Sequence, residues 1–282
     1  MAVRIITDST SDISREEALQ KGISLVPLKV IFGEETLREN VDIFIDEFYQ
    51  RLKSAEKLPT TSQPSPEEFL ELFQDVRDCG DSAVVLLISG ELSGTVQSAN
   101  IAKQMLGYEK IHIIDTRSSI ICLHQLVDYA ILLAQAERSA EDIVQAIKEL
   151  MRKQKLLAMI DTLEYLHKGG RLSKTAELMG TLLKLKPLVT LVDGKIQVYN
   201  KSRGVNNAIA AIFRDIDSCG GIDTSFPVYL GYTDDSGKCE LFKEKFLERY
   251  HVTDVRMYPI GCVVGAHVGP GAFAISYIKK QA

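Results

Sequence analysis

Four short clusters rich in hydroxyl side chains stand where apolar runs of this 282-residue chain end. They are Asp8-Ser9-Thr10-Ser11-Asp12, Thr60-Thr61-Ser62-Gln63-Pro64-Ser65-Pro66, Ser89-Gly90-Glu91-Leu92-Ser93-Gly94-Thr95, and Asp115-Thr116. Hydroxyls and backbone amides donate hydrogen bonds without carrying charge. A rim of them with hardly any Arg or Lys suits a small anion, such as a carboxylate, seated at a helix N-terminus. The same residue types cap helices and close Asx-turns, so each cluster also has a purely structural reading. Residues 261–272, with glycine at 261, 265, 269 and 271, place His267 in a loop where backbone can approach a ligand closely. One ring nitrogen of His267 could donate to the anion; a hydrogen bond to loop backbone is the equal alternative.

Other chemistries find less support. In Gly90-Glu91-Leu92-Ser93-Gly94 the serine lies three places after the first glycine, not two, so it is not the G-x-S-x-G nucleophile elbow. A hydrolase with Ser93 as nucleophile, His267 as base and Asp115 as orienter stays open as a rival. Neither G-x-G-x-x-G after the first strand nor G-x-x-x-x-G-K-[ST] occurs, which removes the usual dinucleotide and triphosphate cradles. His112, His124, His167 and His251 lack metal-ligand spacing, so no metal is expected.

The elements that must position these residues follow from periodicity. Short apolar strands at 3–7, 25–32, 83–88 and 111–114 alternate with amphipathic helices at 14–21, 45–53, 66–78, 97–106, 119–136 and 140–153. That order predicts an α/β fold with a largely parallel sheet covered by helices, and ligands beyond the carboxyl ends of its strands. From residue 154 the pattern changes to a mixed sheet with helices. Runs 187–192 and 195–200 flank Asp193-Gly194, a type I′ hairpin signal. Strands at 156–160, 228–232, 254–259 and 272–278 and helices at 174–184, 205–217 and 238–250 complete it. Two α/β domains are expected, 1–153 and 154–282. Gly169-Gly170 stops a short helix before Arg171, and Ser173 caps the next. Residues 167–203 carry eight Lys or Arg against two acids, either a solvated face or a docking surface for an acidic or phosphorylated partner.

Composition sets the class. With 45% apolar and 25% charged residues, and 33 basic against 38 acidic side chains, the net charge of −5 offers no field for nucleic acid. Cys79, Cys122, Cys219, Cys239 and Cys262 are odd in number and unpaired by spacing, which fits a reducing cytoplasm. The apolar stretch 120–136 contains His124, Gln125 and Asp128, costly in a bilayer, so a cytoplasmic protein is expected.

Together these segments resemble the DegV family, the fatty-acid-binding (B) subunits of bacterial fatty acid kinase. The matching signatures are Asp8-Ser9-Thr10-Ser11-Asp12, Thr61-Ser62-Gln63-Pro64-Ser65, Ser93-Gly94-Thr95, Gly169-Gly170-Arg171 and His267-x-Gly269-Pro270-Gly271. They recur in the family's order over nearly the whole chain. The resemblance implies a long-chain fatty acid bound as ligand between the two domains, its tail in an apolar tunnel, with no cofactor and no chemistry by this subunit alone. A separate ATP-dependent kinase subunit would make the acyl phosphate used in phospholipid synthesis. Carried over by motif, Thr61 and Ser93 hold the carboxylate, Ser62, Gly94, Thr95 and His267 stand beside them, and Arg171 serves the kinase encounter. The resemblance is also compatible with a lipid-sensing regulatory protein. A monomer is expected, with transient membrane contact. One departure stands out: Ile120-Ile121-Cys122-Leu123-His124 is bulky where the family commonly has small residues, so the tunnel is expected to be reshaped there.

Overall fold

The computed structural model describes residues 2–172 and 185–280, so the expected helix 174–184 and its cap Ser173 lie outside the described residues. The first half of the chain runs β1 (Val3–Asp8), α1 (Arg15–Lys21), β2 (Ser24–Val26), β3 (Lys29–Phe32), β4 (Glu35–Arg38), α2 (Ile45–Ser54), β5 (Thr60–Ser62), α3 (Pro66–Asp78), β6 (Ser82–Leu87), α4 (Thr95–Leu106), β7 (Ile111–Asp115), α5 (Ile120–Gln135) and α6 (Ala140–Lys153). The second runs β8 (Gln154–Met159), α7 (Glu164–Lys168), β9 (Lys186–Val192), β10 (Lys195–Ser202), α8 (Val205–Ser218), β11 (Val228–Tyr232), α9 (Gly237–Arg249), β12 (Val255–Pro259), α10 (Cys262–Val268) and β13 (Phe273–Ile278).

Short β-branched runs between helices produce the expected parallel sheet, ordered β2-β1-β6-β7. Ile5, Val84, Leu86 and Ile114 give one face of it to a cluster with α5 and α6. The other face, with Ile6, Val85 and Leu87, packs on Phe69, Phe73 and Ala99 of α3 and α4. Burial on both faces is why these strands read as continuous apolar runs. The second sheet is mixed, ordered β10-β9-β8-β13-β11-β12, and only β11 and β12 run parallel. Asp193 and Gly194 both take positive φ, 50° and 80°, as the type I′ turn between β9 and β10 requires.

Two features depart from expectation. The strand expected at 25–32 is two strands, because Pro27 has no N–H to continue a ladder; β2 stays in the parallel sheet and β3 opens a small antiparallel one, β4-β3-β5. The glycine-rich loop expected at 261–272 contains helix α10.

The strongly apolar composition of α5 has a direct cause: it is packed on two sides. Leu123, Leu126 and Val127 join the parallel-sheet cluster, and Ile120, Ile121 and Cys122 join one with Ala158, Tyr229 and Ala274 of the mixed sheet. Its polar residues tie the same elements together. Gln125 Nε2 donates to the Pro227 carbonyl at 2.7 Å, and Asp128 accepts from the Tyr229 hydroxyl at 2.6 Å, from Arg256 at 3.0 Å and from Lys21. Asp128→Ala would leave the buried Tyr229 phenol without its acceptor and take from Lys21 and Arg256 one of the two carboxylates each pairs with, Glu17 and Asp254 remaining. We expect it to lower unfolding stability by about 3 kcal/mol in urea titrations, against less than about 1 kcal/mol for the exposed pair member Asp254→Ala.

Candidate functional site

The site starts from β5. Its pairing with β3 sets Thr61 opposite Val30 and Ser62 opposite Lys29, and the chain then enters α3 through a capping box in which the Ser65 N–H donates to Glu68 at 2.8 Å. The loop after β6 brings Ser93 to the start of α4, where Gly94 is the N-cap and the Ser93 and Thr95 hydroxyls lie 2.8 Å apart. A Cβ on Gly94 would come within 2.1 Å of Gln63 Oε1. Glycine is therefore required for the second and third hydroxyl clusters to interlock.

The third contributor, α10, is a helix against its own composition: Val263, Val264, Val268 and two glycines at 265 and 261 are weak helix formers. Tertiary bonds hold its first turn. The Gly261 N–H donates to Asp12 Oδ1 and the Val263 N–H to Glu39 Oε1, both at 2.9 Å, satisfying amides that a helix start leaves unpaired. Ser9 donates to the other Glu39 oxygen at 2.5 Å and accepts from the Leu28 N–H at 3.0 Å. Gly265 lies against α2, where a Cβ would stand 2.6 Å from the Tyr49 hydroxyl. Asp8, Asp12 and Glu39 have no cation beside them in this bonding. Burial pushes the Glu39 carboxyl up to about 7 and that of Asp8 up to about 6, and raises Asp12 well above its ordinary range.

Thr61, Ser62, Ser93, His267 and Arg171 meet around one cavity of about 270 Å³, with Gln63 and Ser119 adding polar atoms. A narrower apolar extension of about 50 Å³ adjoins it, sharing Ser119, Leu166, Ile196, Val264 and Val268 as a common wall and otherwise lined almost wholly by apolar groups, among them Ile120, Ala158, Ile160 and Val189. His267 Nε2 lies 2.8 Å from Thr61 Oγ1, while its buried Nδ1 has no hydrogen-bond partner. A buried N–H without an acceptor is rarer than an under-used acceptor, which assigns the proton to Nε2. Nε2–H then donates to Thr61, leaving the threonine hydroxyl hydrogen for a ligand oxygen. Burial, with a smaller contribution from the Arg171 charge, lowers the imidazole to about 4, so it is neutral near pH 7. Gly169 permits this placement, since a Cβ there would stand 2.2 Å from Nδ1.

Several sequence readings are refined. The rim expected to hold hardly any Arg or Lys has Arg171 in its lining, its guanidinium donating to the carbonyls of Gly169 at 2.6 Å and Leu92 at 3.2 Å. Only the second and third hydroxyl clusters face the cavity. The first lies beneath it, with Asp8 closing an Asx-turn on Thr10, and in the fourth Asp115 accepts from the Gly90 and Arg117 N–H groups. The Ser93–His267–Asp115 triad is not assembled: Ser93 bonds Thr95, His267 bonds Thr61, and Asp115 bonds backbone. Gly94 and Thr95 shape the α4 start without lining the cavity. In the basic stretch, Lys168 pairs with Glu164, Lys186 with Asp161 and Lys195 with Glu91, whereas Lys174, Glu177 and Lys184 lie outside the described residues. The contributions of Gln63, Ser119 and α10 were not legible in advance; only the position of Gln63 within a hydroxyl cluster hinted at one of them. Among the described residues there is no group of three or more potential metal ligands and no helix long and apolar enough to cross a membrane.

With this geometry in hand, comparison with known proteins is direct. A family profile described as uncharacterised protein of the DegV family matches residues 2–280. The chain belongs to the DegV family. It is 35% identical over 289 residues to a DegV domain-containing protein of Clostridium acetobutylicum, covering 100% of this chain and 99% of that one. Among solved structures it is similar to a DegV family protein from Thermus thermophilus described for fatty acid binding, with TM-score 0.91, 30% identity and coverage of 99% and 100% of the two chains. It is also similar to a stearic acid-binding protein from Eubacterium ventriosum, with TM-score 0.89, 28% identity and 99% of both chains.

A buried carboxyl raised above its ordinary value contributes stability that is complete below that value and is lost as pH rises through the raised one. For Glu39 the window runs from about 4.5 to about 7. We expect Glu39→Gln to gain stability relative to the unaltered protein by about 2 kcal/mol between pH 5 and pH 8, measured as paired urea unfolding curves. The opposing titration of His267 is common to both proteins and cancels.

Proposed function

We propose that the protein binds a long-chain fatty acid in this cavity and presents the carboxylate to a separate ATP-dependent kinase subunit. The observation that carries the reading is the change of polarity between two adjoining hollows with a shared wall, from hydroxyl donors at Thr61, Ser62 and Ser93 to the apolar extension lined by Ile120 and Ala158. Each buried methylene contributes about 0.8 kcal/mol, so a chain of roughly fourteen supplies on the order of 11 kcal/mol before ordering costs. The head group therefore need not bind tightly. Thr61 and Ser93 would donate to the carboxylate, with the α4 start at Gly94 and Thr95 adding a favourable dipole. His267 orients Thr61. In the reaction a carboxylate oxygen attacks the γ-phosphorus of ATP on the kinase, the bond to ADP breaks, and acyl phosphate leaves for phospholipid synthesis. The protein itself supplies no catalytic group. Similarity to fatty-acid-binding relatives over almost the full chain supports the ligand class. We further read the cavity as lying between two units that divide at 153/154.

Arg171 has two N–H groups committed to backbone carbonyls, which limits its grip on the carboxylate and leaves it at the head end for the kinase encounter. This keeps one carboxylate oxygen nucleophilic.

Mass spectrometry of the purified protein under native and denaturing conditions tests the ligand. We expect one fatty acid per chain, lost or reduced in Thr61→Ala combined with Ser93→Ala; an empty cavity that refuses added fatty acid would overturn the reading. Arg171→Ala is expected to retain ligand but lower acyl phosphate output at least about tenfold with the kinase present. Ile120 lines the apolar extension at a φ of 50°, unfavourable for a β-branched residue. Ile120→Gly should relieve that strain, enlarge the extension and shift the extracted fatty acids toward longer or bent chains.

A further inference from the structure

A second hollow of about 620 Å³ lies behind the apolar extension and shares no lining residue with its hydroxyl-rich end. Leu156 and Leu191 form the wall common to it and the extension. Its charged lining is Arg117, Lys148 and Arg152 against the single acid Asp193, on a chain whose net charge is −5. Lys148 and Arg152 are exposed, one turn apart on α6, and repel each other. The helix C-terminus accounts for Arg152 in the last turn but not for Lys148. Among the described residues neither has a carboxylate partner. Arg117 has only Asp193, 3.8 Å away and 85% exposed.

Ser118 also lines the hollow, with its Oγ enclosed and without a hydrogen-bond partner. The loop that carries it is held firmly: Thr116 Oγ1 donates to the Leu87 carbonyl at 2.7 Å, the Arg117 N–H to Asp115 at 2.9 Å, and the Ser89 N–H to the Ser118 carbonyl at 2.8 Å. Ser89 Oγ also donates to the Gly194 carbonyl at 2.9 Å, which fixes the hairpin tip as the opposite wall. Three cations are thus arranged around an open space with a single exposed acid as internal counter-charge.

We propose that this hollow is a binding site for a phosphate monoester, distinct from the carboxylate site. Guanidinium groups match two phosphate oxygens at once, and the lysine adds a point charge. The same chemistry is offered by a free phosphate metabolite and by the head group of an anionic lipid, and the site lies next to the cavity proposed for the acyl chain.

The test is calorimetric titration of the full-length protein at low ionic strength, where such binding is strongest. The probes are inorganic phosphate, glycerol 3-phosphate, and phosphatidylcholine vesicles with and without phosphatidate. We expect one saturable phosphate per chain, weakened at least about tenfold by Lys148→Gln with Arg152→Gln. The exposed double substitution should leave extracted fatty acid unchanged, which separates this site from the other cavity. Binding of phosphatidate vesicles alone would assign the phosphate to a lipid head group and support the site. No saturable binding of any probe, or binding unaffected by the double substitution, would overturn it.

Discussion

Two buried carboxylates, Asp12 and Glu39, hold the first turn of α10, and the cavity has its shape because that helix is held there. The arrangement is costly in isolation, since carboxyls without cations in a dry environment resist ionisation. It is sustained by donors: Ser9, the amides of α10, and for Asp8 the amides of Ile88 and Thr10. Removing these bonds would leave a seven-residue helix of valines and glycines with little intrinsic reason to form. Val263, Val264, His267 and Val268 would then lose their places in the wall. The distance along the chain between Glu39 and Val263 shows how far apart the determinants of one wall lie.

Among the described residues the hydroxyl-rich end of the cavity contains one cation, and that cation is partly spent on backbone carbonyls. Hydroxyls and a neutral imidazole do the remaining work. This division suits a ligand whose binding energy comes from an apolar tail, because a weakly held head can be released or react without first breaking a strong ion pair. The bulky start of α5 sits at the transition between the two environments. Ser119 faces both parts of the cavity and Ile120 only the apolar one, so the change of polarity happens across a single peptide unit with a strained neighbour.

Much of the fold was legible because its signals are local. Alternating short apolar strands and amphipathic helices specify the parallel sheet, and Asp193-Gly194 specifies the hairpin through the left-handed backbone both residues adopt. The hydroxyl clusters at Thr61–Ser62 and Ser93–Thr95 were recognisable as site material from residue type. The clusters at Asp8–Asp12 and Asp115–Thr116 have the same composition and a different fate, being bonded inward to backbone and to one another. Composition does not distinguish a hydroxyl that faces a cavity from one that closes a turn.

The sequence by itself determined the α/β class and the positions of most strands and helices. It also contained the motifs that place the chain in its family. Tertiary structure alone decided that α10 is a helix, that β3, β4 and β5 form a separate sheet, that Arg171 reaches the cavity, and which nitrogen of His267 carries the proton. The reason is physical: each of these depends on a partner distant in sequence, such as Glu39 for Val263 or Thr61 for His267, and local propensity contains no information about that partner.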